Sequence, residues 1–267
     1  MFSIMLRTIK DKKWVMLSYG LAGILFLWMY LALFPTIQTQ SDKIQEVFGQ
    51  NEGFGKAFGI EQLNFSTLES FLAFEYFNFI WPMLIIFISI SLAGTIVRDF
   101  ERGTMDFILS RPVSRFKIFA GRAVTALLAV FVFNIVSIFA IFPLAMLHGI
   151  DYIFFNYMYM LAIGFLFGAA IVAIACFFSA ILSERGRAYL FTGSIIMVMF
   201  VINIISAFKE SLSNIKYLSL FYYYDPGEAV INSSLSVVSI GVLTAVAVVG
   251  LAAGAFVFKR RDVNASS

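Results

Sequence analysis

Six long runs of apolar residues, separated by short polar segments, dominate the pattern of the chain. Each run is long enough for a helix to cross a hydrocarbon layer about 30 Å thick, which takes roughly 20 residues. None of them alternates strictly between apolar and polar residues, as a membrane β-barrel would require. The pattern therefore predicts an all-α polytopic membrane protein, with a single transmembrane domain over residues 1–267 and six spanning helices at 15–34, 77–97, 118–147, 152–183, 188–208 and 235–258.

The residues before the first span form a separate pattern. MFSIMLRTIKDKKW places its apolar side chains on one helical face and its basic side chains elsewhere. This is typical of an amphipathic helix that lies in the headgroup plane, which we predict over residues 1–14; a basic flank of the first span is the alternative. The first run is too long for a signal peptide and no small-residue cleavage site follows it, so we expect it to be retained.

Composition and charge support a membrane location and predict the orientation. Hydrophobic residues make up 61% of the chain and charged residues only 13%, against roughly 25% in soluble domains. Six spans would put fifteen of the 19 lysines and arginines on the side of the chain termini. Because short cytoplasmic loops accumulate basic residues, we expect both termini in the cytoplasm of a prokaryotic cell and the chain in its plasma membrane. Segment 98–117 is then a cytoplasmic loop, and segments 35–76 and 209–234 are extracytoplasmic.

Several kinds of site are excluded by residue counts and spacing. Cys176 is the only cysteine and His148 the only histidine, which excludes an intrachain disulfide, a multi-histidine metal site and a His-centred triad within one chain. The glycine-rich stretch GFGKAFG, 53–59, lacks the first glycine and the hydroxyl residue of a phosphate loop. The basic residues follow the membrane face, so nucleic-acid binding is not indicated. We expect no catalytic residue, no metal and no cofactor bound by this chain.

The predicted spans contain two central asparagines and two pairs of glycines. Asn134 and Asn203 are central in their spans; each either hydrogen-bonds a neighbouring helix or lines a substrate path. The lack of charge at the centres of the spans argues against an ion-coupled carrier. Two GxxxG pairs, Gly164 with Gly168 and Gly250 with Gly254, predict close helix contact, either within the chain or between subunits.

The charged stretch RDFERGTMDFILSRPVSRFKIFAGR, 98–122, contains a second amphipathic pattern. Gly103 breaks the chain, Thr104 is suited to cap a following helix, and Pro112 ends it. The apolar face of this helix would consist of Met105, Ile108 and Leu109. The pattern predicts a short helix just outside the membrane. Periodicity alone leaves open whether it docks a partner or only links two spans.

Part of this stretch, ERGTMDFILSRPVSR, resembles the loop after the second span in permeases of the type-2 ABC exporter (ABC-2) class. The resemblance implies a coupling helix that sits in a groove of a cytoplasmic ATPase. It also implies two ABC ATPase subunits, which bind ATP and Mg, and a second permease subunit, identical or homologous. The residues that would carry the coupling are Glu101, Arg102, Gly103, Thr104, Met105, Asp106, Ile108, Leu109 and Arg115.

The extracytoplasmic segments carry weaker signals. FYYYDPGEAV, 221–230, combines clustered aromatic residues with a Pro-Gly turn, and the resemblance implies that this region dips back toward the bilayer. Asp225 and Glu228 are either surface turn residues or contact the cargo. For the first extracytoplasmic segment we expect amphipathic helices on the outer leaflet; a lid or a partner surface is the alternative.

Two functions therefore remain. One is a transmembrane subunit of an ATP-binding cassette exporter, without catalytic residues of its own, that forms the substrate path as a dimer in membrane lipid. The other is a non-transporting scaffold or sensor whose loop docks a cytoplasmic regulatory protein.

Overall fold

The structure, a computed structural model, describes residues 2–41, 65–101, 114–208 and 210–261. Within these residues every regular element is a helix, and six helices are long and apolar enough to cross a membrane. Their bounds are Phe2–Gln38, Leu68–Arg98, Arg115–Leu147, Phe154–Ile181, Arg185–Phe208 and Val237–Arg260. The prediction of an all-α polytopic membrane protein is confirmed.

The first helix, α1 (Phe2–Gln38), is a single element. With 37 residues it is about 55 Å long, far more than the hydrocarbon thickness, so part of it projects from the membrane. The sequence placed a boundary at residue 14 between an interfacial helix and the span, whereas the structure continues the helix through it. The location of residues 2–14 in the headgroup plane stays a prediction.

The second span is built from four consecutive helical pieces. They are α2 (Leu68–Leu72), a π-helix (Ala73–Ile80), α3 (Trp81–Ala93) and α4 (Thr95–Glu101). The helix starts nine residues before the predicted bound of 77, because Thr67 caps it through a hydrogen bond from the Ser70 amide. Two glutamates therefore lie inside it, and the buried carboxylate of Glu69 accepts a hydrogen bond from the Ile153 amide at 2.7 Å.

The other spans agree with the predicted ranges to within about three residues, and short helices separate the last two. The remaining elements are α5 (Arg115–Leu147), α6 (Phe154–Ile181), α7 (Arg185–Phe208), a 3₁₀-helix (Glu210–Leu218), α8 (Leu220–Tyr223), α9 (Pro226–Val230) and α10 (Val237–Arg260).

Helix α6 lies at the centre of the bundle. It packs against α3, α5 and α10, and its buried side includes Phe167, Ile171 and Cys176. Helices α1, α7 and α10 instead keep large apolar side chains exposed along one side, which in a membrane-spanning chain face lipid or another subunit.

The segment between α7 and α10 turns back into the bundle. The Ser219 hydroxyl donates to the Met199 carbonyl at 2.7 Å, which attaches this segment to the middle of α7. The Tyr224 ring lies 4.6 Å from that of Phe167, and the Tyr224 hydroxyl donates to the Phe77 carbonyl at 2.7 Å. Phe167 is about 20 Å along α6 from its start. The end of α8 and the residue after it therefore lie inside the bundle, not at its surface.

Candidate functional site

Helix α4, which we call the entry helix, leads directly into the predicted coupling loop. It begins after Gly94, which separates it from α3. The Tyr189 ring of α7 packs against this glycine so closely that any side chain there would overlap the ring. The junction between α3 and the entry helix therefore packs directly against α7.

A buried arginine ties the entry helix to α5. The Arg122 guanidinium donates to the carbonyl oxygens of Thr95 and Ile96, the latter at 3.2 Å. Only 6% of Arg122 is exposed. The two carbonyls at the start of the entry helix accept hydrogen bonds from the buried guanidinium. These bonds offset part of the cost of burying the charge.

Two polar contacts near the entry helix tie the second span to α1. Arg98 of the entry helix forms an ion pair with Asp11 at 2.7 Å, and the Lys12 ammonium donates to the Ser91 hydroxyl at 3.3 Å. The side chains of Arg98 and Asp11 are 18% and 34% exposed. Solvent screening limits such a pair to about 1 kcal/mol or less, so it positions the helix more than it stabilises the fold.

The last residue of the entry helix contacts the start of α7. The Glu101 carboxylate forms an ion pair with Arg185. A neighbouring pair, Arg187 with Glu184 at 3.0 Å, is local and more exposed. The entry helix is thus joined to α7 at both of its ends, by Tyr189 and by Arg185.

The other end of the loop is held by the chain's last described residue. Ser114 caps α5, and Arg115 donates to the carbonyl oxygen of Arg261, which directly follows α10. The Arg261 guanidinium in turn donates to the carbonyls of Ala180 and Leu182 and to the Ser183 hydroxyl, at 3.0, 2.8 and 2.7 Å. Partial burial lowers the pKa of Arg261, yet a cation at the carboxyl end of α6 is favoured by the helix dipole.

These contacts reach every spanning helix. The entry side belongs to the second span and contacts α1, α5 and α7, while the exit side contacts the ends of α6 and α10. Only together do the two ends of the loop contact all six spanning helices.

Of the predicted coupling residues, the structure places Glu101 and Arg115. Arg102, Gly103, Thr104, Met105, Asp106, Ile108 and Leu109, with the predicted short helix, lie outside the described residues. Sequence reasoning missed Arg185 and Arg261, the partners of Glu101 and Arg115. It also missed Asp11, which pairs with Arg98, and Arg122, which bonds to the start of the entry helix. For Arg122 a signal existed, because it is the last charged residue before a long uncharged run.

The two asparagines occupy different surroundings. Asn134 is fully buried; its amide nitrogen donates to the Val130 carbonyl at 2.7 Å, and its Oδ1 faces Gly164, against which Trp81 also packs. Asn203 is half-buried on α7, where its backbone carbonyl accepts a hydrogen bond from Ser206 at 2.8 Å.

The paired glycines face neighbouring helices of the same chain. Besides Gly164, Gly168 lies against Val130, and Gly250 lies against Ala173 of α6. A Cβ atom at Gly254 would come within 2.9 Å of the Phe119 ring. Each glycine permits an approach that a larger residue would obstruct. Among the residues that the structure describes, no three histidine, cysteine or carboxylate side chains come together to hold a metal ion.

The family model for ABC-2 family transporter proteins matches residues 6–263. The chain belongs to the ABC-2 transporter family. No curated protein matches it. ABC-2 permeases are the transmembrane components of transporters rather than their ATPases, so the chain is a multi-pass transmembrane transporter subunit.

Proposed function

We propose that this ABC-2 protein is the permease subunit of an ATP-driven exporter. It pairs with a second permease subunit, identical or homologous, and binds two cytoplasmic ATPase subunits through the 98–117 loop. The observation that carries the proposal is the arrangement of the two loop ends, which contact all six spanning helices through Arg98, Glu101, Arg115, Arg122 and Arg261. Such an arrangement suits a loop that transmits force.

Within this proposal the loop has two parts. Met105, Ile108 and Leu109 supply an apolar face for a groove of the ATPase, and the charged residues around them orient the contact. The entry helix and Arg115 then pass the movement of the ATPase to the bundle. ATP and Mg bind the partner subunits, and this chain binds neither.

Orientation and cargo complete the proposal. The loop, both termini and the contacts around the entry helix lie on the cytoplasmic side of a prokaryotic plasma membrane, as the distribution of lysine and arginine indicates. The cargo is apolar or amphipathic, such as a peptide, a lipid-like molecule or a hydrophobic drug-like molecule. This follows from the uncharged centres of the spans, since transport of small ions commonly requires charged groups there.

The experiment co-expresses the chain with an ABC ATPase encoded beside it and measures co-purification and ATP hydrolysis. The test variant carries Met105→Asp, Ile108→Asp and Leu109→Asp, which destroys the apolar face. The matched control carries Met105→Leu, Ile108→Val and Leu109→Met, which keeps it. We expect the aspartate variant to lose the ATPase during purification while the control retains it. Equal retention and equal turnover in both variants would contradict the proposal.

A further inference from the structure

Three tyrosines and a lysine form an aromatic corner where the chain turns back into the bundle. The Lys216 ammonium lies 4.8 Å from the centre of the Tyr222 ring and 5.4 Å from that of Tyr217. The two rings are 5.3 Å apart and nearly perpendicular, at 85°. Tyr223 stands beside Tyr222, with ring centres 5.1 Å apart. Two ring faces thus converge on one point, and a cation occupies it.

The corner is held in shape by its own hydrogen bonds. The Tyr223 hydroxyl donates to the Tyr217 carbonyl at 3.1 Å, which joins the 3₁₀-helix to α8. Ser219, between them, bonds to the Met199 carbonyl of α7 at 2.7 Å, and its amide donates to the Lys216 carbonyl at 2.9 Å. The rings are therefore positioned by the backbone as well as by the lysine that lies over them.

The corner is also accessible. Tyr217 and Tyr222 are 53% and 37% exposed, and the neighbouring Leu218 is 67% exposed. The Lys216 ammonium lies over the rings at the end of a flexible side chain and is strongly hydrated. Its cation–π interaction with the rings therefore contributes comparatively little binding energy. A quaternary ammonium group is bulkier, carries no N–H donors to be hydrated, and has methyl groups that can lie against both ring faces where Lys216 now lies.

We propose that Tyr217 and Tyr222, supported by the buried Tyr223, form a binding site for a quaternary ammonium group. Lys216 occupies this site in the absence of the ligand and moves away when the ligand binds. The ligand is a free organic cation or the choline headgroup of a lipid in the adjacent leaflet. The site does not depend on the ATPase coupling proposed above.

The first arm measures equilibrium binding of radiolabelled choline to the purified full-length protein in detergent. Lys216→Met removes the competing cation, so we expect about fivefold tighter binding than in the unaltered chain. Adding Tyr222→Leu to Lys216→Met should weaken binding about fivefold or more, whereas adding Tyr222→Phe should preserve it, because phenylalanine keeps the ring face. The matched control adds Tyr159→Leu, which removes a tyrosine of nearly the same exposure, 38% against 37%, from α6.

The second arm separates charge from shape and identifies the source of the ligand. 3,3-Dimethylbutan-1-ol, the neutral isostere of choline, should compete at least tenfold more weakly than unlabelled choline. Choline binding is then compared in nanodiscs of phosphatidylcholine and of phosphatidylglycerol. Weaker choline binding in phosphatidylcholine would support the site and identify the lipid headgroup as its occupant. Equal binding in both lipids would support it with a free cation as ligand. Absence of choline binding to Lys216→Met, equal competition by the isostere, or binding unaffected by Tyr222→Leu would overturn the proposal.

Discussion

Arg98 donates a hydrogen bond of 2.7 Å to the carboxylate of Asp11. The contact joins α1 to the entry helix across 87 residues of sequence. It is one of several long-range links at the two ends of the 98–117 loop.

Asp11→Asn removes the negative partner of Arg98 and keeps the shape of the side chain. We expect a loss of stability of about 0.5 kcal/mol, because the pair is partly exposed. The matched control is Glu184→Gln, which breaks a more exposed ion pair and should cost less. Unfolding temperatures in the same detergent compare them, and an equal or larger loss for Glu184→Gln would contradict this ranking.

Arg261→Ala removes the donors that hold the end of α6. We expect a loss of about 1 kcal/mol, since the guanidinium is only half-buried and water replaces part of its hydrogen bonds. ATP hydrolysis by the assembled transporter should fall as well, because the guanidinium holds the backbone of residue 261, whose carbonyl accepts from Arg115, against the end of α6.

Lys259→Ala is the control for Arg261, since Lys259 is an exposed basic residue two positions earlier. It should change neither stability nor ATP hydrolysis. If Arg261→Ala and Lys259→Ala have the same stability and the same rate of ATP hydrolysis, the contact of Arg261 with α6 contributes no more than an exposed surface charge.

Gly164→Ala tests the close approach of α3, α5 and α6. The added methyl group would overlap the Trp81 ring and come within 2.7 Å of Asn134 Oδ1. We expect a destabilisation of about 1–3 kcal/mol from overpacking, measured by thermal unfolding.

Gly193→Ala, on α7, is the matched control for Gly164, because nothing lies within 4 Å of the added atom. It should be neutral or stabilise the chain by up to about 1 kcal/mol, since alanine favours the helix. Similar losses of stability at both positions would show that the close contacts at Gly164 are not the cause of the destabilisation.

Single cysteines test the orientation. Cys176 is buried and is the only native cysteine, so Cys176→Ala provides a background without thiols. In that background an impermeant maleimide should label Asn214→Cys in intact cells and Ser110→Cys only after the membrane is permeabilised. Labelling of Ser110→Cys in intact cells would place the loop on the wrong side.

Hydropathy was enough to predict the six spans because burial in lipid constrains every residue of a spanning helix. It was less able to predict where the second span begins. Glu69 and Glu75 interrupt the apolar run, yet the helix includes both, and Glu69 is satisfied by the Ile153 amide of a distant turn. A local window of sequence contains no information about that partner.

The same reason explains what was missed around the loop. The stretch 101–115 identified Glu101 and Arg115 as members of a coupling motif, but their partners lie 84 and 146 residues away. Arg185 and Arg261 had been interpreted only as basic residues of the cytoplasmic face. Which charges meet there depends on how the helices pack, and the apolar faces of the spans are too uniform to specify it.

The central claim is that the loop moves the bundle through contacts such as that between Glu101 and Arg185. The most direct test measures ATP hydrolysis by the reconstituted assembly with Glu101→Arg, Arg185→Glu and both changes together. Each single reversal should lower the rate about twofold to fivefold without releasing the ATPase, and the double reversal should restore it, because the pair is re-formed with opposite polarity. A double variant no faster than the slower single variant, with the ATPase still bound, would contradict the account.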